Sequence, residues 1–285
     1  MQYRPALREL AEVTESQWGM VTSAQAIARG VTHLSLSRLT ESGDLVRLAH
    51  GVYRDAGAPS DEHQSLRADW LAIEPERLAW ERVNDRPGFA TVSGESAARL
   101  HGIGNLRAMR SEFITPVRKQ TQRQDVRYRT RALTSQDVTI REGLPVTTLE
   151  RTIADLVEQR VQLDHVADAL RDAARTSHLD TDRLADLLAP LAERNGHRKG
   201  DGEALLEQLL EATRIDLVSL SKQIAEVPHL GAMVSREYLA RMDESSEPLI
   251  LAEPAPNAIP TILSAMNWAA VTPTPRRSTK DGDET

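Results

Sequence analysis

One residue type, cysteine, and several motifs are missing from this sequence, and each absence excludes a class of protein or site. There is no cysteine among the 285 residues, which excludes disulfides, thiolate metal sites and a cysteine nucleophile. No window approaches the run of about 18 apolar residues that a membrane helix needs. The N-terminal segment MQYRPALRELAEV lacks the apolar core of a signal peptide, so we expect a cytoplasmic protein without a membrane span.

Common catalytic motifs are missing as well. The sequence contains neither a P-loop nor a dinucleotide-binding fingerprint, and the segment VSGES lacks the Gly-x-Ser-x-Gly order of a nucleophile elbow. Its eight histidines show no metal-binding spacing. We therefore expect no enzymatic activity, no catalytic or metal-binding residue and no cofactor.

Charge is unevenly distributed along the chain, although the formal net charge is only −7. Residues 1–60 carry six arginines and six acidic residues and are neutral. Residues 107–131 carry eight basic and two acidic residues, whereas residues 132–285 carry 16 basic and 26 acidic residues. The acidic total therefore says little about any one surface, and a nucleic-acid partner is not excluded.

The stretch VTSAQAIARGVTHLSLSRLTESGDLVRLAHGVYR has the punctuation of two short helices and a hairpin. Thr22 and Gln25 form a capping-box pattern that opens a helix ended by Gly30. Thr32 is a good N-cap for a second helix, which stops at Gly43. The segments LVRL and VYR alternate on either side of an AHG turn. This order predicts a helix-turn-helix followed by a β-hairpin wing.

In a helix-turn-helix, the second helix enters the major groove of DNA. Leu36 and Leu39 lie three residues apart and would hold this helix on the core, which leaves the opposite face for bases and phosphates. The alternative is a three-helix bundle with a hairpin that binds nothing. On the first interpretation, the recognition-helix residues are Thr32, His33, Ser35, Ser37 and Arg38, and the wing residues are Arg47, His50 and Arg54.

A second cluster of basic residues follows in the segment VRKQTQRQDVRYRTR. Alternation along a strand would place Arg127, Arg129 and Arg131 on one face. Two interpretations are open: a second phosphate-binding surface, or a strand whose arginines face acidic residues of the later helices. The candidate residues of this second basic surface are Arg118, Lys119, Arg123, Arg127, Arg129 and Arg131.

Length and patterning predict an α+β fold with more than one domain. The predicted organisation is a winged helix-turn-helix over 1–58, a mixed α+β domain over 60–200, a helical C-terminal extension over 201–272 and a disordered tail over 273–285. The α+β domain has short strands and several amphipathic helices. Its segment HQSLRADWLAIEPERLAWERV is expected to be helical, with Trp70 and Trp80 in the core.

Three segments resemble one known family. ALRELAEVTESQWGMVTSAQAIARGVTHLSLSRLTESGDLVRLAHGVYR resembles the N-terminal winged helix of the AbiEi antitoxin family of type IV toxin–antitoxin systems. ATVSGESAARLHGI and GLPVTTLERTIADLV are similar to segments just downstream in that family. The resemblance covers roughly residues 5–175.

The resemblance implies a bacterial transcriptional repressor that autoregulates its operon by binding repeats in its own double-stranded promoter DNA. It also implies an antitoxin that counteracts a co-encoded nucleotidyltransferase-like toxin, in this family usually without a stable complex. The toxin's own activity is not expected here, because SGES supplies one acidic residue and no partner for a Mg²⁺ pair. The alternative function is a protein-interaction module whose acidic C-terminal half neutralises a basic partner toxin by direct binding.

Overall fold

The structure, a computed structural model, describes residues 3–176 and 179–213. All of these residues fall in the first of two units, residues 1–220, and the second unit, residues 221–285, lies outside them. The described residues mix α-helices with two sheets, so the predicted α+β class is confirmed. The predicted tail and all of the predicted extension beyond residue 213 lie outside the described residues, and the domain boundaries stay a prediction.

The N-terminal part folds as a winged helix. Its three strands form an antiparallel sheet in the order β1-β3-β2, and the β2–β3 hairpin is the wing. Apolar residues of the helices and of the sheet form its core, among them Leu10, Val21 and Leu36. The elements are α1 (Tyr3–Ser16), β1 (Met20–Thr22), α2 (Ser23–Ala28), α3 (His33–Glu41), β2 (Leu45–Ala49) and β3 (Val52–Asp55).

Local capping explains where α2 and α3 begin. The Thr22 hydroxyl accepts from the Gln25 backbone N–H at 3.1 Å, and the Gln25 side chain accepts from the Thr22 N–H at 3.0 Å. This is the predicted capping box, which satisfies two N–H groups that a helix start leaves unpaired. Thr32 caps α3 in the same way by accepting from the Ser35 N–H at 3.2 Å.

The remaining described residues form a second sheet covered by helices. Its strand order is β6-β5-β4-β8-β7, with β5–β6 and β4–β8 parallel and the other two pairs antiparallel. The elements are α4 (Gln64–Ile73), α5 (Ala79–Asn84), β4 (Thr91–Val92), α6 (Gly94–His101), β5 (Ser111–Thr115), β6 (Val126–Thr130), β7 (Val138–Arg141), β8 (Leu144–Thr147), α7 (Leu149–Glu158), α8 (Leu163–Thr176), α9 (Thr181–Leu188) and α10 (Gly202–Ala212).

Helices α7 to α10 share one apolar core. Leu156, Leu170 and Leu188 are fully buried in it, and α10 contributes Leu205 and Leu209. The first helix of the predicted C-terminal extension therefore packs as part of the helical layer on α8 and α9. Burial of these side chains, at about 1.5–3 kcal/mol each, stabilises the whole layer.

The segment expected to be one helix is broken into α4 and α5. The break contains Pro75, which has no backbone N–H and disfavours a helical conformation in the residue before it. Trp70 is fully buried and donates its indole N–H to the Ala90 carbonyl at 2.7 Å. Trp80 is 55% exposed, so its predicted place in the core is wrong. The prediction assumed one continuous helix, in which Trp70 and Trp80 would lie ten residues apart. Because the helix is broken between them, that spacing no longer places both tryptophans in the core.

The winged helix is docked against the second part through a shared core and a polar link. Trp18 packs edge-on against Trp70 with ring centroids 6.2 Å apart, and Met20 lies in the same cluster. The buried Gln17 side chain donates to Gln25 at 2.6 Å and accepts from the Ala79 backbone N–H at 3.2 Å. The segment that joins the two parts, residues 55–62, therefore does not separate their cores.

This link generates a stability prediction. Gln17→Ala removes a hydrogen-bond partner from three buried groups, the Met20 carbonyl, the Gln25 side chain and the Ala79 N–H, and we expect the free energy of unfolding to fall by about 1–3 kcal/mol. Urea denaturation followed by circular dichroism measures the change. Gln122→Ala, at an exposed glutamine, is the matched control and should change the stability by less than about 0.5 kcal/mol. Equal stability of the two variants would contradict the docking role of Gln17.

Candidate nucleic-acid interface

Helix α3 presents one face to solvent because its other face is anchored in the core. Leu36 and Leu39 are fully buried against the winged-helix core. His33, Ser37 and Arg38 are exposed on the opposite side. The helix is therefore oriented as a recognition helix would need to be, with polar side chains outward.

Three of the five predicted recognition residues make hydrogen bonds within α3. The Thr32 and Ser35 hydroxyls lie 3.0 Å apart and support the helix cap. The Ser37 hydroxyl donates to Glu41 at 3.0 Å. His33 and Arg38 have no side-chain partner among residues 3–176 and 179–213, so these two extend from the helix unpaired.

Leu34 belongs to the exposed face of α3 and is missing from the predicted site. Its side chain is 60% exposed and lies one helical turn before Arg38. An apolar side chain among hydrogen-bonding ones suits the methyl group of thymine in the major groove. The sequence does carry a signal: successive positions on a helix turn by about 100°, so Leu34 and Leu36 cannot both face the core.

The wing brings together two of its three predicted residues. Arg47 and His50 are exposed, and the Arg47 guanidinium lies 3.2 Å from His50 Nδ1. Arg54 pairs across the hairpin with Val46, whereas Arg47 pairs with Tyr53, so alternation places the two arginines on opposite faces. The Arg54 side chain is half-buried and donates to the Ala58 carbonyl at 3.1 Å. In this structure Arg54 stabilises the end of the wing.

Five of the six residues of the predicted second basic surface form ion pairs with carboxylates of the same chain. The pairs are Lys119 with Glu74 at 2.7 Å, Arg123 with Asp69 at 2.7 Å, Arg127 with Glu112 at 3.4 Å, Arg129 with Glu158 at 3.5 Å, and Arg131 with Asp155 at 2.8 Å. Arg118 is exposed and has no carboxylate partner in the part of the chain described. Most of the positive charge of this segment is therefore offset locally.

The strongest of these contacts lies between the end of β6 and α7. Arg131 donates to the fully buried Asp155 at 2.8 Å and to Glu158 at 2.6 Å, and Arg151 also bonds Asp155. Burial opposes the charge of Arg131, but the bonds to Glu158 and Asp155 outweigh it and raise the pKa of Arg131. The interpretation in which these arginines face acids of a later helix describes Arg129 and Arg131.

The remaining basic residues, Arg118, Arg123 and Arg127, differ in how open their charge is to solvent. The Arg127 side chain is 46% exposed and holds Glu112 at the long distance of 3.4 Å. Arg123 bonds both Asp69 and Asp125, which fixes its guanidinium on the sheet edge. Arg118 and Arg127 are consequently the members whose charge is most open to an external phosphate.

A metal site and a membrane-spanning helix would each bear on function. Among residues 3–176 and 179–213, no three histidine, aspartate or glutamate side chains are grouped closely enough to hold a metal ion. No helix within those ranges is long and apolar enough to cross a membrane.

Comparison with known proteins gives two family matches. Residues 8–54 match the family described as transcriptional regulator, AbiEi antitoxin. Residues 89–208 match the AbiEi antitoxin C-terminal domain. The crystal structure of the RV2827C protein from Mycobacterium tuberculosis is similar with a TM-score of 0.44 and 18% identity, over 74% of this chain and 82% of that one. No curated protein matches the sequence.

The carboxylate network generates a prediction that separates structural from exposed arginines. Arg131→Ala leaves Asp155 buried with one partner fewer, and we expect a loss of about 2–4 kcal/mol in the free energy of unfolding. Arg118→Ala removes the same charge at an exposed position and should cost less than about 0.5 kcal/mol. Thermal and urea denaturation of both variants measure the difference. A wild-type stability for Arg131→Ala would show that the ion pairs contribute nothing.

Proposed function

Because this chain belongs to the AbiEi family of antitoxin transcriptional regulators, we propose that it represses its own operon by binding promoter DNA through the winged helix. The observation that carries the proposal is the outward face of α3, with His33 and Arg38 unpaired on a helix held by Leu36 and Leu39. Such a helix fits the major groove, where its N-terminal residues meet base edges.

In the proposed complex the roles divide between base contacts and phosphate contacts. Arg38 is the residue best suited to a guanine, because a guanidinium pairs with guanine N7 and O6. Thr32, Ser35 and Ser37 contribute hydroxyls at the entering end of α3 and along it. Arg47 and His50 of the wing lie on phosphates beside the groove. Arg54 belongs to the proposed site only as a support of the wing.

Charge limits the affinity of a single winged helix. Residues 1–60 are neutral overall, and Arg29 is engaged with Glu12 at 3.0 Å. Phosphate neutralisation supplies most of the affinity of DNA-binding proteins, so one copy should bind weakly. We propose that tight binding requires two copies on adjacent promoter repeats, which raises the effective concentration of the second copy. Arg118 and Arg127 are proposed as additional phosphate contacts.

The antitoxin role is proposed to act against a co-encoded nucleotidyltransferase-like toxin in the cytoplasm. The match of residues 89–208 to the antitoxin C-terminal domain supports this assignment. The proposal gives the chain no catalytic step and no cofactor of its own.

Direct binding of the toxin is the second candidate mechanism. Residues 132–285 carry 26 acidic against 16 basic residues, and a net negative segment attracts a basic partner. Co-purification of the two gene products at moderate salt would favour direct binding. Protection from the toxin without any complex would favour the indirect mechanism.

Base reading is tested by one arginine substitution. Arg38→Ala should weaken binding to the chain's own upstream DNA by about 1–3 kcal/mol while leaving binding to random duplex nearly unchanged. Gel shift or fluorescence anisotropy over a range of salt concentrations measures both affinities and the salt slope. Arg175→Ala, at an exposed arginine of α8, is the control for lost charge. If the wild type does not prefer its own promoter over random duplex, the repressor proposal fails.

Leu34 is tested by removing the methyl group that it is expected to contact. Replacing one thymine of the promoter at a time by deoxyuridine should weaken wild-type binding at a contacted position by roughly fourfold, from about 0.8 kcal/mol per buried carbon. Leu34→Ala should bind the two duplexes equally. Leu210→Ala, at an exposed leucine of α10, should keep the wild-type preference. A Leu34→Ala variant that still discriminates thymine from uracil would remove Leu34 from the interface.

A further inference from the structure

A cleft outside the winged helix collects four arginines, three of which form no ion pair with the described residues. It has a volume of about 670 Å³ and lies between the start of α6, the segment before β5, strand β6 and the α7–α8 junction. The basic residues that line it are Arg107, Arg110, Arg127 and Arg160, joined by His165. A cleft of this size suits a small molecule.

The charge of three of these arginines is uncompensated. Arg107, Arg110 and Arg160 are exposed, and none forms an ion pair with any residue of the described ranges. In the part of the chain that the structure describes, the one ion pair of Arg127 is with Glu112, at 3.4 Å. Guanidinium groups stay charged at every physiological pH, so these four, set against the carboxylates of Glu95 and Glu112, leave the lining with a net positive charge that attracts an anion. Arginine is also the side chain that best matches the geometry of a phosphate.

The backbone at Arg160 gives a second, independent observation. Helix α7 ends in a Schellman motif, in which the Arg160 N–H donates to Val157 at 3.0 Å and the Val161 N–H donates to Leu156 at 3.1 Å. The residue at this position has a φ of 60°, in the left-handed region that normally selects glycine. An arginine here keeps backbone strain that glycine would relieve. Residues held in this conformation cluster at functional sites, which makes Arg160 a candidate for a role in the cleft.

Two carboxylates on the wall of the cleft narrow the choice of ligand. Glu112 is 6% exposed and pairs with Arg127, and Glu95 lies at the start of α6. Burial and the charge of Glu112 raise the pKa of Glu95. Carboxylates accept N–H and O–H donors, which a phosphodiester backbone lacks in B-form DNA but which the sugar and base of a nucleotide carry. The lining therefore suits a phosphate joined to a group with hydrogen-bond donors.

We propose that this cleft binds a small phosphorylated molecule of the nucleoside monophosphate class. Arg107, Arg110 and Arg160 hold the phosphate, and Glu95 accepts a hydrogen bond from the sugar or the base. The site is separate from the proposed recognition helix and wing, and it shares only Arg127 of its lining with the proposed additional phosphate contacts. A chain that failed to bind promoter DNA would still be expected to bind the nucleotide.

Calorimetric titration of the full chain tests the proposal with four nucleoside monophosphates, the corresponding nucleosides and inorganic phosphate. We expect at least one monophosphate to bind at least tenfold more tightly than its nucleoside, with binding that weakens as salt rises. Arg107→Ala and Arg110→Ala should each weaken it about tenfold, while Arg175→Ala, far along α8, should leave it unchanged.

Arg160→Gly is the most informative variant, because its two expected effects have opposite signs. Glycine relieves the left-handed backbone, so the melting temperature should rise, whereas loss of the guanidinium should weaken nucleotide binding at least tenfold. A stabilised variant with wild-type nucleotide affinity would overturn the proposal. So would equal binding of nucleoside and monophosphate, or absence of binding by all four monophosphates. If the arginine substitutions weaken only promoter binding, the cleft belongs to the DNA interface and the proposal is wrong.

Discussion

A buried polar link between the winged helix and the second part of the molecule sets the geometry on which the rest depends. Gln17 donates to Gln25 and to the Met20 carbonyl, at 2.6 and 2.9 Å, and accepts from the Ala79 N–H. Gln25 in turn donates to the Arg77 carbonyl at 2.8 Å. The Gln17 and Gln25 side chains are buried, so any rotation of the winged helix would leave polar groups buried without partners. Apolar contacts such as that of Trp18 with Trp70 also stabilise the docked arrangement, but the hydrogen bonds select one orientation of the winged helix.

This constraint has a functional consequence for α3. Because Gln25 lies in α2, the link holds the first helix of the pair, and α3 is held through the shared core of Leu36 and Leu39. The exposed face of α3 is therefore presented from a fixed scaffold, which reduces the ordering cost of recognition. The tertiary structure also decides which arginines are paired. Arg127, Arg129 and Arg131, in and just after β6, pair with Glu112, Glu158 and Asp155. Within the described ranges Arg107, Arg110 and Arg160 of the cleft form no ion pair.

The local elements could be predicted because their causes are local. The capping box at Thr22, the cap at Thr32 and the alternation on either side of the AHG turn each act within a few residues, and the structure has α2, α3 and the wing where they indicate. The predictions for individual side chains were wrong or incomplete where another part of the sequence changed the local structure. The ten-residue spacing of Trp70 and Trp80 favoured a continuous helix. The chain instead breaks at Pro75 after α4, and Trp80 is exposed in α5. Leu34 is absent from the predicted site, although the helical phase set by Leu36 and Leu39 places it on the outer face.

By itself, the sequence determined the α+β class, the winged helix and the family resemblance. The reason is that the hydrophobic period, the helix caps and the turn residues each lie within one short contiguous segment of the chain. Only the tertiary structure decided which charges are available. Arg131 and Asp155 are 24 residues apart in sequence yet 2.8 Å apart in space, and Lys119 reaches Glu74 from 45 positions away. The basic segment is a strongly positive run in the sequence and a mostly neutralised edge in the fold. An ion pair depends on distance through space, which no count of charges along a chain contains.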